Sequence, residues 1–425
     1  MDCPHCGKNY KQKKSYDKHL EKCQIPVEEL ANLSLDPNPK FTFIDLFCGI
    51  GGFHQALIKH GGKCVFASDM DKKCQEIYEQ NYQIKPVGDI KKVDEKELPN
   101  FDVLTGGFPC PSFSNGGKKL GMEDDRGKLF NDIIRIAKEK QPKLMLLENV
   151  KHIMKVKDGE VFEYILKTLD ETGYRTIVKP ISPHQLGIPQ QRERVIFICS
   201  RKDLPELKPN LEIPFHEINY EQILEENPPS KYQISNEIEE VLKAWDEIIS
   251  KFETNETLSP TILVHEFYQE YTEEELEVLP SWKKDYIVKN KRLYEKYQVE
   301  WDEWYEKYKD LLNKREIYGK LEWQTGKKKE NDSIWNYFIQ LRQSGIRIKR
   351  AEYFPTLVAI VQTPIYGKGK RYITPRECAR LQSFPDDFQL HPTDQIAYKQ
   401  FGNAVNVEVI NFILTRIVEC WECLS

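Results

Sequence analysis

A chain of 425 residues, 40% hydrophobic and 30% charged, has enough apolar material for two or three domains with a sizeable core. No apolar run approaches a membrane span and no signal-peptide stretch opens the chain; the expectation is an intracellular protein, cytoplasmic or nucleoid-associated, or nuclear in a eukaryotic or viral setting, with no membrane partner. Eleven scattered cysteines point to a reducing compartment rather than a disulfide framework, and a net charge of −5 still permits a local basic groove.

The chain opens on "CPHCGKNYKQKKSYDKHLEKC", in which Cys3, Cys6, His19 and Cys23 have the spacing C-x2-C-x12-H-x3-C. Three thiolates and one imidazole form a tetrahedral zinc set, and Tyr10 and Tyr16 stand where so small a unit needs its core. The stretch resembles a C2H2-type zinc finger with cysteine as its last ligand. Counted back from His19, Gln12, Ser15 and Lys18 take the helix positions that read bases in such fingers. One finger spans about three base pairs, so it could add DNA affinity or bind a protein partner. Residues 1–24 are assigned to the finger and 25–40 to a polar, proline-bearing linker.

From Phe41 to Arg201 the apolar runs "FTFIDLF", "CVFASD", "FDVLTGG", "LMLLENV", "RTIVKPI" and "RVIFICS" alternate with helix-length segments. That alternation predicts an α/β fold with a doubly wound parallel sheet, its strands apolar on both faces. The first run ends in Gly49, Gly51 and Gly52, which open a helix and let a ligand approach the backbone. His54 takes the place of the last glycine of a dinucleotide fingerprint. Asp69 follows Gly49 by twenty residues at the next strand end, and Asp89 is expected to end a further strand on the same edge. A nucleoside-bearing cofactor fits this set, and so does a plain glycine turn with capping acids.

Cys110, framed by Pro109 and Pro111 after the glycines of "TGGFPCP", sits on a shaped loop at a strand end, and Glu148 ends the next strand. A thiol beside a carboxyl group is a set for adding to an electron-poor ring and protonating it elsewhere. The glycine-rich, charged segment that follows, "SNGGKKLGMEDDRGKLF", reads as a lid.

Residues 202–369 change character, with six of seven tryptophans between Trp245 and Trp335 and long charged stretches that read as exposed amphipathic helices. The basic run "SGIRIKRAEYFP" at 344–355 could follow phosphates or be a solvated charge run. "CWEC" at 420–423, His60, His152 and His184 read as ordinary side chains without ligand spacing.

"FIDLFCGIGGF", "GGFPCPSFS", "LLENV", "GIPQQRERVIFI", "TPRECARLQSFPDDF" and "YKQFGNAVN" resemble, in order, the motif series of cytosine-C5 DNA methyltransferases of the restriction–modification type. The resemblance covers 41–201 and 370–415. It implies a Rossmann-like methyltransferase domain, 41–201 with 370–425, and a smaller target-recognition domain at 202–369. The implied reaction moves a methyl group from S-adenosylmethionine to C5 of a cytosine flipped out of double-stranded DNA. By the same resemblance, Phe43, Asp45, Leu46, Phe47, Gly49 and Gly51 would line the cofactor pocket; Asp69 would bind the ribose with Met70 beside it, and Asp89 and Ile90 would flank the adenine. Pro109 would border the cofactor, Cys110 would attack C6, Glu148 would hold N3 and the exocyclic amine, and Asn149 would support the loop. Arg192 and Arg194 would act near the base, Ser112 and Ser114 near the DNA, and Asn403 and Val405 would close over the cofactor.

Pro111 departs from the glutamine common after the cysteine, and Ala404 stands where serine is also common. A tRNA methyltransferase is a second reading, opposed by the large middle region and the missing "CFT" signature; a silent DNA-binding scaffold would be expected to lose Cys110, Glu148 or the glycine loop. A cognate restriction endonuclease as partner and a monomeric state are expectations of the resemblance.

Overall fold

"FTFIDL" forms the first strand, β1 (Phe41–Leu46), almost wholly buried between two neighbours. The computed structural model describes residues 39–108, 128–258, 261–359 and 362–420. The N-terminal finger, with Cys3, Cys6, Gln12, Ser15, Lys18, His19 and Cys23, lies outside them, as do Pro109, Cys110, Ser112 and Ser114.

The six apolar runs are the six strands of one sheet: β1, β2 (Gly62–Ser68), β3 (Val103–Gly107), β4 (Leu144–Val150), β5 (Tyr174–Ile181) and β6 (Arg194–Arg201), in the order β2-β1-β3-β4-β6-β5. Helices α1 (Gly52–Ile58), α2 (Lys72–Tyr82), α3 (Lys128–Lys140) and α4 (Glu160–Glu171) connect them. Two apolar layers cover the faces, one with α1 and α2 and the other with α3 and α4. The sheet is not parallel throughout, because β6 runs antiparallel to both β4 and β5. A parallel pair needs a crossover, usually helical, and the link from β5 to β6 carries only the short turn Pro183–Leu186.

A second correction concerns Asp89. Pro86 and Gly88 break the ladder there, leaving a single bridge from Val87 to Ser68, and Asp89 instead caps the turn Ile90–Lys92 by accepting from Lys91 N at 3.1 Å.

The middle region is not simply helical. Helices α5 (Asn236–Lys251), α6 (Ser281–Lys296) and α7 (Gln298–Leu312) pack on a second sheet of β7 (Ile262–Leu263), β8 (Lys320–Gln324), β9 (Phe338–Arg342), β10 (Gly345–Lys349), β11 (Ile365–Tyr366) and β12 (Arg371–Tyr372). Four of its six tryptophans are core rather than surface: Trp245, Trp301 and Trp304 are buried together and Trp323 is buried, while Trp335 is half-buried and Trp282 is exposed. Trp245 Nε1 donates to Tyr318 O at 2.8 Å and Trp304 Nε1 to Ala244 O at 2.6 Å, so two of these indoles keep a polar partner inside the core.

After β12 the chain returns to the first sheet through α8 (Pro375–Leu381), α9 (Asp394–Asn403) and α10 (Val407–Val418). The stretch Asp394–Val418 is apolar enough to pass for a membrane span, but it is two helices broken at 404–406, and 56% of its apolar 18-residue window is buried against the fold. It is a core element.

Candidate active site

The strand ends β1, β3 and β4 meet at one edge of the first sheet, where such folds bind ligands outside the carboxyl ends. After β1 the backbone turns sharply: Phe47, Gly49 and Gly51 all have positive φ, at 54°, 54° and 87°. Phe47 is not glycine, so its left-handed backbone is held by its surroundings against a cost of about 1–3 kcal/mol.

The acid of the next strand end locks this turn. Asp69 Oδ2 accepts from Gly49 N and Oδ1 from Asp71 N, both at 2.8 Å. Burial still pushes the Asp69 carboxyl above its ordinary range. Each oxygen accepts one N–H and keeps acceptor capacity for a hydroxyl. A methyl group at Gly49 would meet nothing within 4 Å, so the space beside the turn is open, and Met70 next to it is 68% exposed. Open space, acceptors for hydroxyls and an apolar plate fit the nucleoside half of S-adenosylmethionine. Asp89 is half-buried nearby in sequence and Ile90 is buried beneath it.

Three of the expected pocket residues lie lower. Phe43, Asp45 and Leu46 are completely buried under the turn. Asp45 Oδ1 accepts from Thr105 Oγ1 at 2.9 Å and Oδ2 from Tyr78 OH at 3.5 Å, and burial raises its carboxyl to about 8. Tyr78 OH also meets His54 Nδ1 at 2.7 Å, and burial pulls His54 down to about 3. The His54 ring stacks on Tyr82 at 3.8 Å, and the Tyr82 hydroxyl lies 3.3 Å from Ile50 O and 3.1 Å from Gly51 O. Thr105, Tyr78, His54 and Tyr82 therefore carry the glycine turn from below. Of these supports, only His54 was singled out in the sequence; Thr105, Tyr78 and Tyr82 carry no local signal.

Beside it, β3 ends at Gly107, paired in register with Glu148 on β4. Because β6 runs antiparallel, its first residue Arg194 arrives at the same edge, and Arg194 Nε lies 2.7 Å from Glu148 Oε1. The other oxygen, Oε2, would lie 3.5 Å from a Cβ placed on Gly107. Asn149, buried, donates from Nδ2 to Phe108 O at 2.9 Å and fixes the backbone at Phe108, two positions before Cys110 in the sequence.

Arg192 has a different place from Arg194. It is buried, and its amino groups donate to Leu357 O at 2.8 Å and to Gly402 O and Ala404 O at 3.0 Å. Burial, with Arg194 nearby, lowers its guanidinium to about 9. These bonds clamp the "GNAV" segment, in which Asn403 is exposed and Val405 half-buried. Two buried glutamines assist: Gln382 Nε2 donates to Phe401 O at 2.7 Å, and Gln190 Nε2 to Leu381 O at 2.7 Å. Val405 then lies over the glycine turn so closely that a Cβ on Gly52 would sit 2.3 Å from Val405 O. A small cavity of about 10 Å³ between these parts is lined by Glu148, Arg192, Arg194, Val405 and Asn406, among others.

Six cysteines among the described residues are free thiols. Burial pushes the Cys48 thiol in the glycine turn well up and Cys64 to about 12, so neither is a nucleophile at neutral pH. Among the described residues, no three His, Cys, Asp or Glu side chains are grouped to hold a metal.

The C-5 cytosine-specific DNA methylase family matches residues 41–419. A type II methyltransferase of Haemophilus parahaemolyticus, M.HhaI, is 32% identical over 375 residues, covering 88% of this chain and 93% of the relative. M1.ScrFI of Lactococcus lactis subsp. cremoris, also a type II methyltransferase, is 31% identical over 401 residues, covering 93% and 82%. Among solved structures, the Entamoeba histolytica methyltransferase EhMeth shares the fold with a TM-score of 0.53 at 17% identity, covering 90% of this chain and 99% of its own. The S. pombe Dnmt2 methyltransferase does so with a TM-score of 0.50 at 18% identity, covering 89% and 98%. A glycine turn braced by Asp69, and Glu148 held by Arg194 one strand away, are thus features of a chain that belongs to the C-5 cytosine-specific DNA methylase family, a DNA (cytosine-5)-methyltransferase.

Proposed function

We propose that Cys110 and Glu148 divide the chemistry on a cytosine flipped out of duplex DNA. The observation that carries this is the Glu148–Arg194 pair at the end of β4, level with Gly107 and three residues ahead of Cys110. The Cys110 thiolate adds to C6 while Glu148 gives a proton to N3, and the ring carbon C5 becomes an enamine-type nucleophile. S-adenosylmethionine supplies an electrophilic methyl group to that carbon. A base then takes the C5 proton, the C6–sulfur bond breaks, and Glu148 recovers its proton from N3. C6 is out of reach inside a stacked duplex, so the base must leave the stack at a cost of a few kcal/mol.

The glycine turn, Asp69, Met70 and Val405 hold the cofactor in this reading, with Pro109 at its border and Asp89 beside the adenine. Arg192 and Asn403 keep the Val405 segment in place, and Ser112 and Ser114 face the DNA. Cys3, Cys6, His19 and Cys23 bind one Zn²⁺; their spacing alone supports this, and zinc content measured on purified protein tests it. Gln12, Ser15 and Lys18 of that unit add DNA contacts. The protein acts as an intracellular monomer beside a restriction endonuclease of the same target sequence.

Transfer of labelled methyl groups from S-adenosylmethionine to duplex DNA, comparing the unaltered chain with Cys110→Ser and followed by bisulfite mapping, tests the assignment. Marks on cytosines within one short motif, absent with the variant, support it. Methylation that persists in Cys110→Ser overturns the covalent route.

A further inference from the structure

The basic run at 344–355 has a definite place in the fold. On β9, Phe338, Gln340 and Arg342 point to one face of the second sheet while Ile339 and Leu341 point to the helices; on β10, Arg347 and Lys349 share the first face and Ile346 and Ile348 the second. The first face is apolar at one end only, where Phe338 stacks on Phe354 at 3.8 Å within the core of the catalytic body. Beyond that anchor it is polar and half-buried.

Three cations line it. Lys349 Nζ donates to Gln191 Oε1 at 3.3 Å, and Gln191 precedes Arg194, the partner of Glu148, by three residues along the chain. Arg347 comes two residues earlier on β10 and pairs with Glu322 on β8 at 2.5 Å. Arg342 lies opposite Gly345, a further two residues along. At the rise of a strand, each step is about 7 Å, and the row extends about 13 Å away from the catalytic edge. Glu322 is the only carboxylate paired with the row among the described residues, and it also accepts from Ser344. Burial and then the neighbouring cations hold both Lys349 and Arg342 below their ordinary proton affinity.

We propose that Lys349, Arg347 and Arg342 form a track for the sugar–phosphate backbone of the substrate DNA, running from the catalytic edge along the polar face of the second sheet. This rests on the reading of duplex DNA as substrate. Two positive charges in excess, half-buried at regular spacing, suit a polyanion with regularly spaced phosphates better than a single small anion. The contacts go to the backbone, so they set affinity and register rather than sequence.

The test compares the unaltered chain with Arg342→Gln, Lys349→Gln and the double variant, each keeping most of the side-chain stem. Binding of a labelled duplex that contains the target and of a scrambled one is followed by fluorescence anisotropy over a series of salt concentrations. The expected result is several-fold weaker binding of both duplexes by the same factor, with the log–log salt slope shallower by about 0.9 per lost contact and about 1.8 in the double variant. Cofactor affinity, measured by calorimetry, stays unchanged. An unaltered affinity and slope would overturn the track. A loss confined to the target duplex would overturn it too, making these side chains base readers. If the unaltered chain binds and methylates no DNA at all, the substrate reading itself falls, and the track with it.

Discussion

Arg194 Nε and Glu148 Oε1 are 2.7 Å apart, brought together because β6 enters the sheet against the direction of β4. One carboxylate oxygen is thereby fixed by a cation, leaving the other to face the place beyond Gly107. Removing the acid should cost more than removing its holder. Glu148→Gln is expected to lower kcat by about 10²–10⁴. Arg194→Gln should lower it by about 10–10², the price of a misplaced acid, with KM for S-adenosylmethionine unchanged. Steady-state kinetics with both substrates varied separates the two effects.

Arg192 acts through packing. Substituting Met keeps much of its volume but strands the carbonyls of Leu357 and Gly402 in a dry interior, while Ala404 O keeps Gln382 Nε2 at 3.2 Å. Each unpaired buried group costs about 1–3 kcal/mol, so the two together predict a loss of about 2–6 kcal/mol of stability. Urea unfolding of Arg192→Met checks it, and a midpoint equal to that of the unaltered chain would remove the clamp from consideration.

Tyr82 is a positioning residue for the cofactor site. Its hydroxyl supports the carbonyls of Ile50 and Gly51, and its ring blocks any side chain at Gly51, where a Cβ would come within 2.2 Å. Tyr82→Phe keeps the ring stacked on His54 and deletes only the hydroxyl. A net hydrogen bond of about 1 kcal/mol corresponds to roughly fivefold weaker S-adenosylmethionine binding. Calorimetric titration should show that change while kcat at saturating cofactor holds.

Asp45 gives the protein a stability that declines in mild alkali. Its folded-state value near 8 exceeds the ordinary 3.8, so the native state binds the extra proton between those limits and stability is lost as pH rises toward 8. His54 works in the other direction: held near 3 rather than 6.5, it costs stability as pH falls below 6.5. The two oppose each other below pH 6.5 and Asp45 acts alone above it. Between pH 6.5 and 8 the unaltered chain should lose on the order of 1 kcal/mol per pH unit, and Asp45→Asn, which can still accept from Thr105, should flatten that slope. Chemical denaturation at a series of pH values decides it.

All six named stretches are strands. The edge strands β2 and β5 are only half-buried, while the inner four were legible because strands buried on both faces leave continuous apolar runs. The direction of β6 was not, since pairing direction depends on the missing crossover helix rather than on the strand's own residues. Asp89 misled because an acid after a short apolar stretch imitates a strand end, while Pro86 and Gly88 had already broken the ladder. The second sheet hid in strands of two to five residues such as "FIQLR" and "GIRIK", too short to show a period and interrupted by Gln340, Arg342, Arg347 and Lys349. Chemistry-bearing groups at Asp69, Glu148 and Arg194 could be named from motif spacing, whereas supports such as Thr105, Gln190 and Gln382 come from distant segments. No local pattern marks a buried glutamine as a brace.

Val405 covers the glycine turn from a segment more than 350 residues later, and α10 packs against α1, with His60 bonded to Asn411 at 2.8 Å. A ribosome that has delivered the first six strands has therefore made the cradle but not its cover. Synthesis at about 5–20 residues per second leaves that apolar face open for ten seconds or more while the second sheet and its helices emerge. Until α10 arrives, the nascent chain exposes the flank of α1, where a chaperone would find its binding surface and where aggregation during expression would begin.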